Sequence, residues 1–288
     1  MLTSLPGVLF DGVAYGSLLF LMSIGLSVTM GLMRFINLAH GAFAMLGGYV
    51  CVLGMTRLGF PFLAMLPVAF VAAAVCGAAL ERVLYRRLYR RSPLDQVLFS
   101  LGLTLMSVAA ATYAFGSGQQ PVHLPAFLLG QVRVLGVDLG IYRLFLVALV
   151  AAIAAALALL VRRTRFGARI RASVDDAQAS AGLGINVTRV FSVTFTLGSG
   201  LAGLGGALAI DVLGLDPTFP LKYLVYFLLV VVVGGAGSIP GTLVASLLLG
   251  VFDVSGKYYV PAAGAFVIYA MMVVLLLLFP GGLLRSAR

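Results

Sequence analysis

The sequence predicts an all-α protein that crosses a membrane many times, and three observations support this. Hydrophobic residues make up 62% of the 288 residues and charged residues only 10%, whereas soluble domains carry about a quarter charged residues. Several apolar runs reach the roughly 20 residues that a membrane helix needs. The basic residues gather mainly between these runs, as in loops that face the cytoplasm and anionic lipid.

This composition excludes several function classes. The chain is too apolar for an ordinary cytosolic enzyme, a disordered protein or a nucleic-acid binder, although its net charge is +10. We expect no metal or cofactor, because Cys51 and Cys76 lie in apolar stretches and the two histidines, His40 and His123, are far apart. We also expect a retained first span rather than a cleaved signal, because the first ten residues contain no basic group.

The spans are predicted as helices, since the apolar runs are continuous and rich in Leu and Ala. The clearest run extends from Leu144 to Val161 without a polar side chain. The same criterion places six further spans at about 10–33, 36–56, 61–81, 96–116, 191–212 and 262–280.

Residues 222–253 are less regular than the other spans. Two short apolar stretches flank the Gly- and Pro-rich segment 234–241. This pattern indicates a pair of short helices, which either meet in a tight turn near one surface or form a re-entrant hairpin inside the membrane. With this broken pair, the chain is expected to hold about eight or nine transmembrane helices.

The basic residues predict the orientation of the chain. An external N-terminus and an internal C-terminus place 14 of the 19 Lys and Arg residues in the cytoplasm. This group comprises Arg34, Arg82, Arg86, Arg87, Arg90, Arg91, Arg162, Arg163, Arg165, Arg169, Arg171, Arg189, Arg285 and Arg288. The orientation requires the broken pair to begin and end outside.

The cytoplasmic loop at 162–190 is the most unusual segment of the chain. It predicts a short helix that begins at Ser173, carries two aspartates in its first turn and ends at Gly182 or Gly184. The helix body contains only small or polar residues, so it has almost no apolar stripe. Such a helix suits docking in another protein's groove, and it equally suits a solvated connection.

Three segments resemble the permeases of ABC importers for branched-chain amino acids, in family order and over most of the chain. The loop resembles the family's coupling loop, although Gln178 stands where the family has an acidic residue. The most specific match is the block Asn37-Leu38-Ala39-His40-Gly41, which points to the H-type of the two permease subunits. The other matches are Arg163-Thr164-Arg165-Phe166-Gly167, Arg171-Ala172, Gly184-Ile185-Asn186-Val187 and the glycine-rich turn Gly234–Gly241.

The resemblance implies a division of labour in a bacterial inner (plasma) membrane. It implies that residues 1–288 form one transmembrane permease domain, which pairs with a second, M-type permease within membrane lipid. It also implies two separate ATP-binding cassette subunits and a periplasmic or extracellular substrate-binding protein. The sequence has no G-x-x-x-x-G-K-[ST] phosphate loop, because Tyr258 follows Gly256-Lys257, so the chain itself is expected not to be an enzyme.

Two groups of functional residues and one packing face are expected. Asn37 and His40 are candidates for the pathway, since polar residues in an apolar span often serve one, and their i, i+3 spacing predicts that they share a helix face. The alternative is structural: Asn37 caps the helix at the cytoplasmic interface and His40 bonds a neighbouring helix. Gly198, Ala202 and Gly206 form a face of small residues that lets helices pack closely. The residues expected to couple the permease to the ATPase are Arg171, Asp175, Asp176, Gln178, Ala181 and Gly184.

Charged residues near the predicted outer surface allow two interpretations. Asp211, Asp216, Lys222 and Asp253 can receive a binding protein or serve as ordinary interface charges.

Alternative functions remain open from the sequence. A urea or short-amide importer would use a similar permease. An ion-coupled secondary amino-acid carrier usually has charges at mid-membrane and broken helices in both halves, whereas this chain has one broken region. A purely structural membrane subunit does not account for the cytoplasmic loop.

Overall fold

The computed structural model describes residues 5–33, 35–89, 91–122, 124–134, 136–279 and 281–284. Four arginines that support the predicted orientation, and one of the two histidines, lie outside these residues. They are Arg34, Arg90, Arg285, Arg288 and His123.

The described chain is mostly helical. The helices are α1 (Leu5–Met33), α2 (His40–Leu58), α3 (Phe62–Leu80), α4 (Pro93–Phe115), α5 (Ile141–Arg163), α6 (Arg165–Asp175), α7 (Ala177–Gly182), α8 (Val187–Leu213), α9 (Phe219–Gly234), α10 (Ile239–Tyr259) and α11 (Gly264–Leu278). A π-helical turn, Glu81–Tyr85, continues α3 to Leu88, and one turn of 3-10 helix spans Ala126–Leu128. An antiparallel hairpin of β1 (Gln131–Val134) and β2 (Val137–Gly140) lies in the loop before α5.

The all-α, many-span prediction is confirmed. Seven of the described helices are long and apolar enough to cross a membrane, and α9 and α11 are shorter apolar helices. One predicted boundary is wrong, because α2 begins at His40 and the preceding residues 36–39 are not helical. Hydropathy alone does not find this boundary, since three of the four residues 36–39 are apolar.

Close contacts between small residues hold the centre of the fold together. A Cβ built on Gly198 of α8 would lie 2.7 Å from the Cα of Gly25 in α1. One on Gly206 would lie 1.9 Å from the carbonyl oxygen of Ala44 in α2, and one on Gly203 would lie 2.3 Å from the Cβ of Ala73 in α3. The predicted small-residue face of α8 therefore packs against three helices at once.

The irregular segment at 222–253 forms two antiparallel helices joined by a tight turn. The first, α9, has 16 residues and is about 24 Å long at about 1.5 Å per residue. The turn places Gly235 and Gly237 at positive φ, and the Gly237 amide donates to the Ser27 carbonyl of α1 over 2.9 Å. Because Gly237 also lies beside Val174 of α6, the turn is at the end of the fold that the arginines assign to the cytoplasm.

Candidate functional site

The segment between α5 and α8 contains the predicted coupling residues, and it begins with a sharp corner. The hydroxyl of Thr164 accepts a hydrogen bond from the Gly167 amide over 3.0 Å and donates to the Leu160 carbonyl over 2.6 Å. A Cβ on Gly167 would lie 2.2 Å from the carbonyl oxygen of Val161, so a larger residue does not fit. The guanidinium of Arg171 also donates to Val161, which ties α6 to the end of α5.

A second junction separates α6 from α7. Asp176 has extended backbone angles, and its carboxylate accepts hydrogen bonds from the Gln178 amide at 2.8 Å and the Ala179 amide at 2.9 Å. Asp176 is therefore the N-cap of α7. The prediction that Ser173 starts one helix is wrong, because Ser173 is buried in the last turn of α6 and Asp175 is the final residue of that helix.

The end of α7 is fixed by a left-handed glycine. Gly184 has a φ of +82°, its amide donates to Ala181 over 3.0 Å, and the Ile185 amide donates to Ser180 over 3.0 Å. This pattern terminates a helix and satisfies its last carbonyls. Two residues later, the Asn186 side chain accepts from the Arg189 amide and starts α8. Of the two predicted terminators, Gly184 takes the left-handed conformation.

In the segment 164–186, named the coupling segment after its predicted role, helix α7 presents mostly small side chains. Asp175, Asp176, Gln178, Ala181 and Gly184 are all exposed, whereas Arg171 is exposed but engaged with α5. The sequence prediction does not include Leu183, a residue that is 83% exposed beside Gly184. The sequence signal for this residue is a leucine between two glycines at the end of a capped helix.

The two pathway candidates lie elsewhere, in contacts between helices. Asn37 is 1% exposed, and its amide oxygen accepts from the Tyr85 hydroxyl at 2.9 Å and from the Ala39 amide at 3.1 Å. His40 is 3% exposed, and its Nε2 lies 2.9 Å from the carbonyl oxygen of Met22 in α1. Because Asn37 precedes α2, the two residues do not share a helix face, and their pathway role stays a prediction.

The outer ends of the helices carry separate ion pairs. Asp216, between α8 and α9, binds Lys222 and the hydroxyl of Thr218. Burial raises the pKa of Asp216, but the hydrogen bonds from Lys222 and Thr218 outweigh it and hold the pKa below its usual value. Asp253 of α10 is 1% exposed and pairs with Lys257 over 2.5 Å. Both acids are thus engaged within the chain, while Asp211 is exposed.

Residues 8–276 match the family described as the permease component of branched-chain amino acid transport systems. The chain belongs to this family. Seven helices of the described residues are of spanning length, and as a family member the permease is a multi-pass protein of the inner membrane and a subunit of an ABC importer. The family consists of transport permease subunits, and permeases of ABC importers in general work with ATPase and other partners.

Curated relatives cover nearly the whole chain. It is 30% identical over 297 residues to the high-affinity branched-chain amino acid transport system permease protein LivH of Escherichia coli K12, with 96% of this chain and 94% of the relative aligned. It is 28% identical over 293 residues to BraD of Pseudomonas aeruginosa, with the same coverage. A probable LivH of Methanocaldococcus jannaschii is 26% identical, with 94% of this chain and 88% of the relative aligned. No solved structure matches the chain.

Proposed function

We propose that the permease forms half of the transmembrane pathway for branched-chain or related small amino acids. Residues 1–288 form one transmembrane domain, and 162–190 is its coupling loop. A second, M-type permease completes the pathway, a substrate-binding protein delivers the amino acid, and separate ATP-binding cassette subunits drive the cycle. The names of the relatives support this choice of substrate.

The observation that carries the proposal is a short exposed helix with both ends fixed. Asp176 caps the start of α7 and Gly184 terminates it, so its exposed surface keeps a defined shape. A solvated linker does not require either device. A partner that binds α7 can therefore push or pull on the adjoining helices while α7 itself stays folded.

Leu183 supplies an apolar anchor for that contact. Small neighbours surround it, so a partner's groove can approach the backbone of α7 closely. Burying a leucine side chain contributes about 1.5–3 kcal/mol, which is enough to make this residue important to docking. The surrounding residues, including Gln178 and Ala181, then provide shape and hydrogen bonds more than charge.

Movement of α7 reaches the membrane through two connections. On one side α6 leads to the corner that Thr164, Gly167 and Arg171 fix to α5. On the other side Asn186 starts α8 directly after Gly184. ATP binding and release shift the permease between inward- and outward-facing states only if the ATPases favour different positions of α7 in their two states.

Crosslinking tests the docking surface. In a chain whose two cysteines are replaced by alanine, Ala181→Cys should crosslink to the ATPase subunit, and the yield should change with ATP. Ser117→Cys, in the exposed loop after α4, is the control and should not crosslink. Failure of Ala181→Cys in an importer that still takes up substrate would contradict the docking assignment.

The substrate and the energy source need separate tests. The ligand of the cognate binding protein, measured by calorimetry, should be a branched-chain or related small amino acid. Binding of urea or a short amide instead would redirect the substrate assignment while leaving the docking assignment intact. Uptake by the permease alone in liposomes under an ion gradient would contradict the importer mechanism.

A further inference from the structure

A cavity of about 540 Å³ lies behind the coupling segment, between helices α1, α5, α6 and α8 and the turn before α10. Its walls are mainly apolar, with Val28, Leu157, Ile170 and Leu201 from the four helices. The volume is within the range of about 300–1,000 Å³ that is typical of sites for small molecules. Neither Asn37 nor His40 lines it.

One wall of this cavity is an amphipathic helix at the cytoplasmic end of the fold. Phe166, Ile170 and Val174 recur every four residues along α6 and line the cavity, whereas Arg165 and Arg169 are exposed on α6. An apolar stripe with a basic opposite face is typical of helices that lie in the membrane interface and bind anionic lipid. The position of α6 therefore places lipid headgroups close to the cavity.

The polar residues of the cavity favour a negatively charged group. Arg162 and Arg171 line it, against a single acidic residue, Asp175. Within the described part of the chain, no ion pair engages the five arginines of this region, Arg162, Arg163, Arg165, Arg169 and Arg171. Basic pockets between transmembrane helices on the cytoplasmic side are typical binding sites for anionic lipid headgroups.

The cavity also lies against an exposed transmembrane helix. Its α5 wall belongs to the least buried of the spanning helices, since only 11% of the apolar window of α5 is buried. Leu159, between the lining residues Ala158 and Leu160, is 59% exposed. The outward side of α5 next to the cavity is therefore apolar, as expected of a helix that contacts lipid acyl chains.

We infer that one anionic phospholipid binds here, with an acyl chain in the cavity and its phosphate at Arg162 and Arg171. The lipid fills the space that separates α5 from α8 and supports α6 from behind. This site is distinct from the surface of α7, and its occupancy does not depend on the identity of the transported substrate.

Photocrosslinking with a defined lipid tests this inference. The full-length permease is reconstituted in phosphatidylcholine vesicles that contain phosphatidylglycerol with a diazirine on its acyl chain. After irradiation, mass spectrometry should find the label on cavity residues such as Leu157 and Ile170. A phosphatidylcholine probe with the same diazirine should label them roughly tenfold less, because two arginines favour the anionic headgroup.

Matched variants identify the cavity as the site. Ala158→Phe fills the cavity and should abolish this labelling, whereas Ala156→Phe, on the exposed side of α5, should leave it unchanged. Arg162→Gln should reduce the preference for phosphatidylglycerol, and Arg57→Gln, at the opposite end of the fold, should not. If Ala158→Phe fails to accumulate in the membrane, the comparison of Arg162→Gln with Arg57→Gln tests the site instead.

Three results would overturn the inference. They are equal labelling by the two probes, labelling confined to outward residues such as Leu159, and full labelling of a folded Ala158→Phe variant. None of these results depends on transport activity, so they leave the docking proposal untouched.

Discussion

The coupling segment joins two helices that differ sharply in their surroundings. In α8, 78% of the most apolar eighteen-residue window is buried within the chain, whereas in α5 the share is 11%, although α5 has the higher hydropathy. Hydropathy therefore reports which helices enter the bilayer but not which become central. Small residues make α8 central, because Gly198, Gly203 and Gly206 let three helices approach its backbone. A force applied to α7 thus acts on one loosely held helix and one tightly held helix.

The largest expected effect is a loss of stability from a substitution in the tightly packed helix α8. Gly206→Val should destabilise the permease by about 3 kcal/mol or more, since its Cβ would lie 1.9 Å from the carbonyl oxygen of Ala44. The measurement is the melting temperature of the purified protein together with its amount in the membrane. Gly102→Val in α4, where nothing lies within 4 Å of the new Cβ, is the control and should change neither. Equal tolerance of both variants would contradict the close packing of α8.

A second prediction concerns the buried polar contacts beside this core. Asn37→Ala should destabilise the protein by about 2 kcal/mol, because it leaves the Tyr85 hydroxyl without its acceptor. Tyr85→Phe in the Asn37→Ala background should cost less than in the wild type, and thermal unfolding of the four proteins measures this coupling. If Asn37→Ala instead alters the KM for uptake at unchanged stability, Asn37 belongs to the pathway.

The third prediction concerns the connection between the two helices. Gly184→Val should lower ATP-driven uptake at least tenfold with normal membrane insertion, because a β-branched residue at a φ of +82° costs about 1–3 kcal/mol. Gly182→Val is matched to it, since both sites are open and only Gly184 has a positive φ. Uptake assays and ATP hydrolysis, measured together, give the coupling ratio. An identical coupling ratio in the two variants would show that coupling does not depend on the left-handed conformation of Gly184.

The smallest effect is expected at the start of α7. Asp176→Ala removes the cap and should cost about 1 kcal/mol of local helix stability, whereas Asp176→Asn should retain most of it. Hydrogen exchange of the amides of Gln178 and Ala179 should rise in the alanine variant alone. Ser173→Ala should leave these amides protected. Faster exchange in Ser173→Ala would instead support Ser173 as the cap of this helix.

Much of the architecture could be predicted from the sequence. Long apolar runs have few alternatives to membrane helices, so a predicted span overlaps each of the seven long helices of the described residues, although the third extends to Leu88 rather than to about 81. The small-residue face of α8 was also recognised, but its partners were not, because spacing along one helix does not say which helix faces it. The identity of Ala44 and Ala73 as neighbours depends on the whole packing arrangement.

The details of the coupling segment were harder to predict. Ser173 and Asp176 are both good capping residues, and choosing between them requires knowing that α6 continues through Ser173 and buries it. The corner at Gly167 depends on the direction in which α5 ends, which sequence does not encode locally. The non-helical residues 36–39 are stabilised by tertiary partners such as Tyr85 and Ser100, which hydropathy along the chain does not reveal.

The last described residues fasten the turn between α9 and α10. The Leu283 amide donates to the Val233 carbonyl over 2.8 Å, and Gly282, at a φ of +88°, packs against Gly235. For protein engineering, this makes the carboxyl end a poor site for a rigid fusion partner. Fluorescent or affinity tags placed there need a flexible spacer, since any pull on the tail is passed to a turn that touches both α1 and α6.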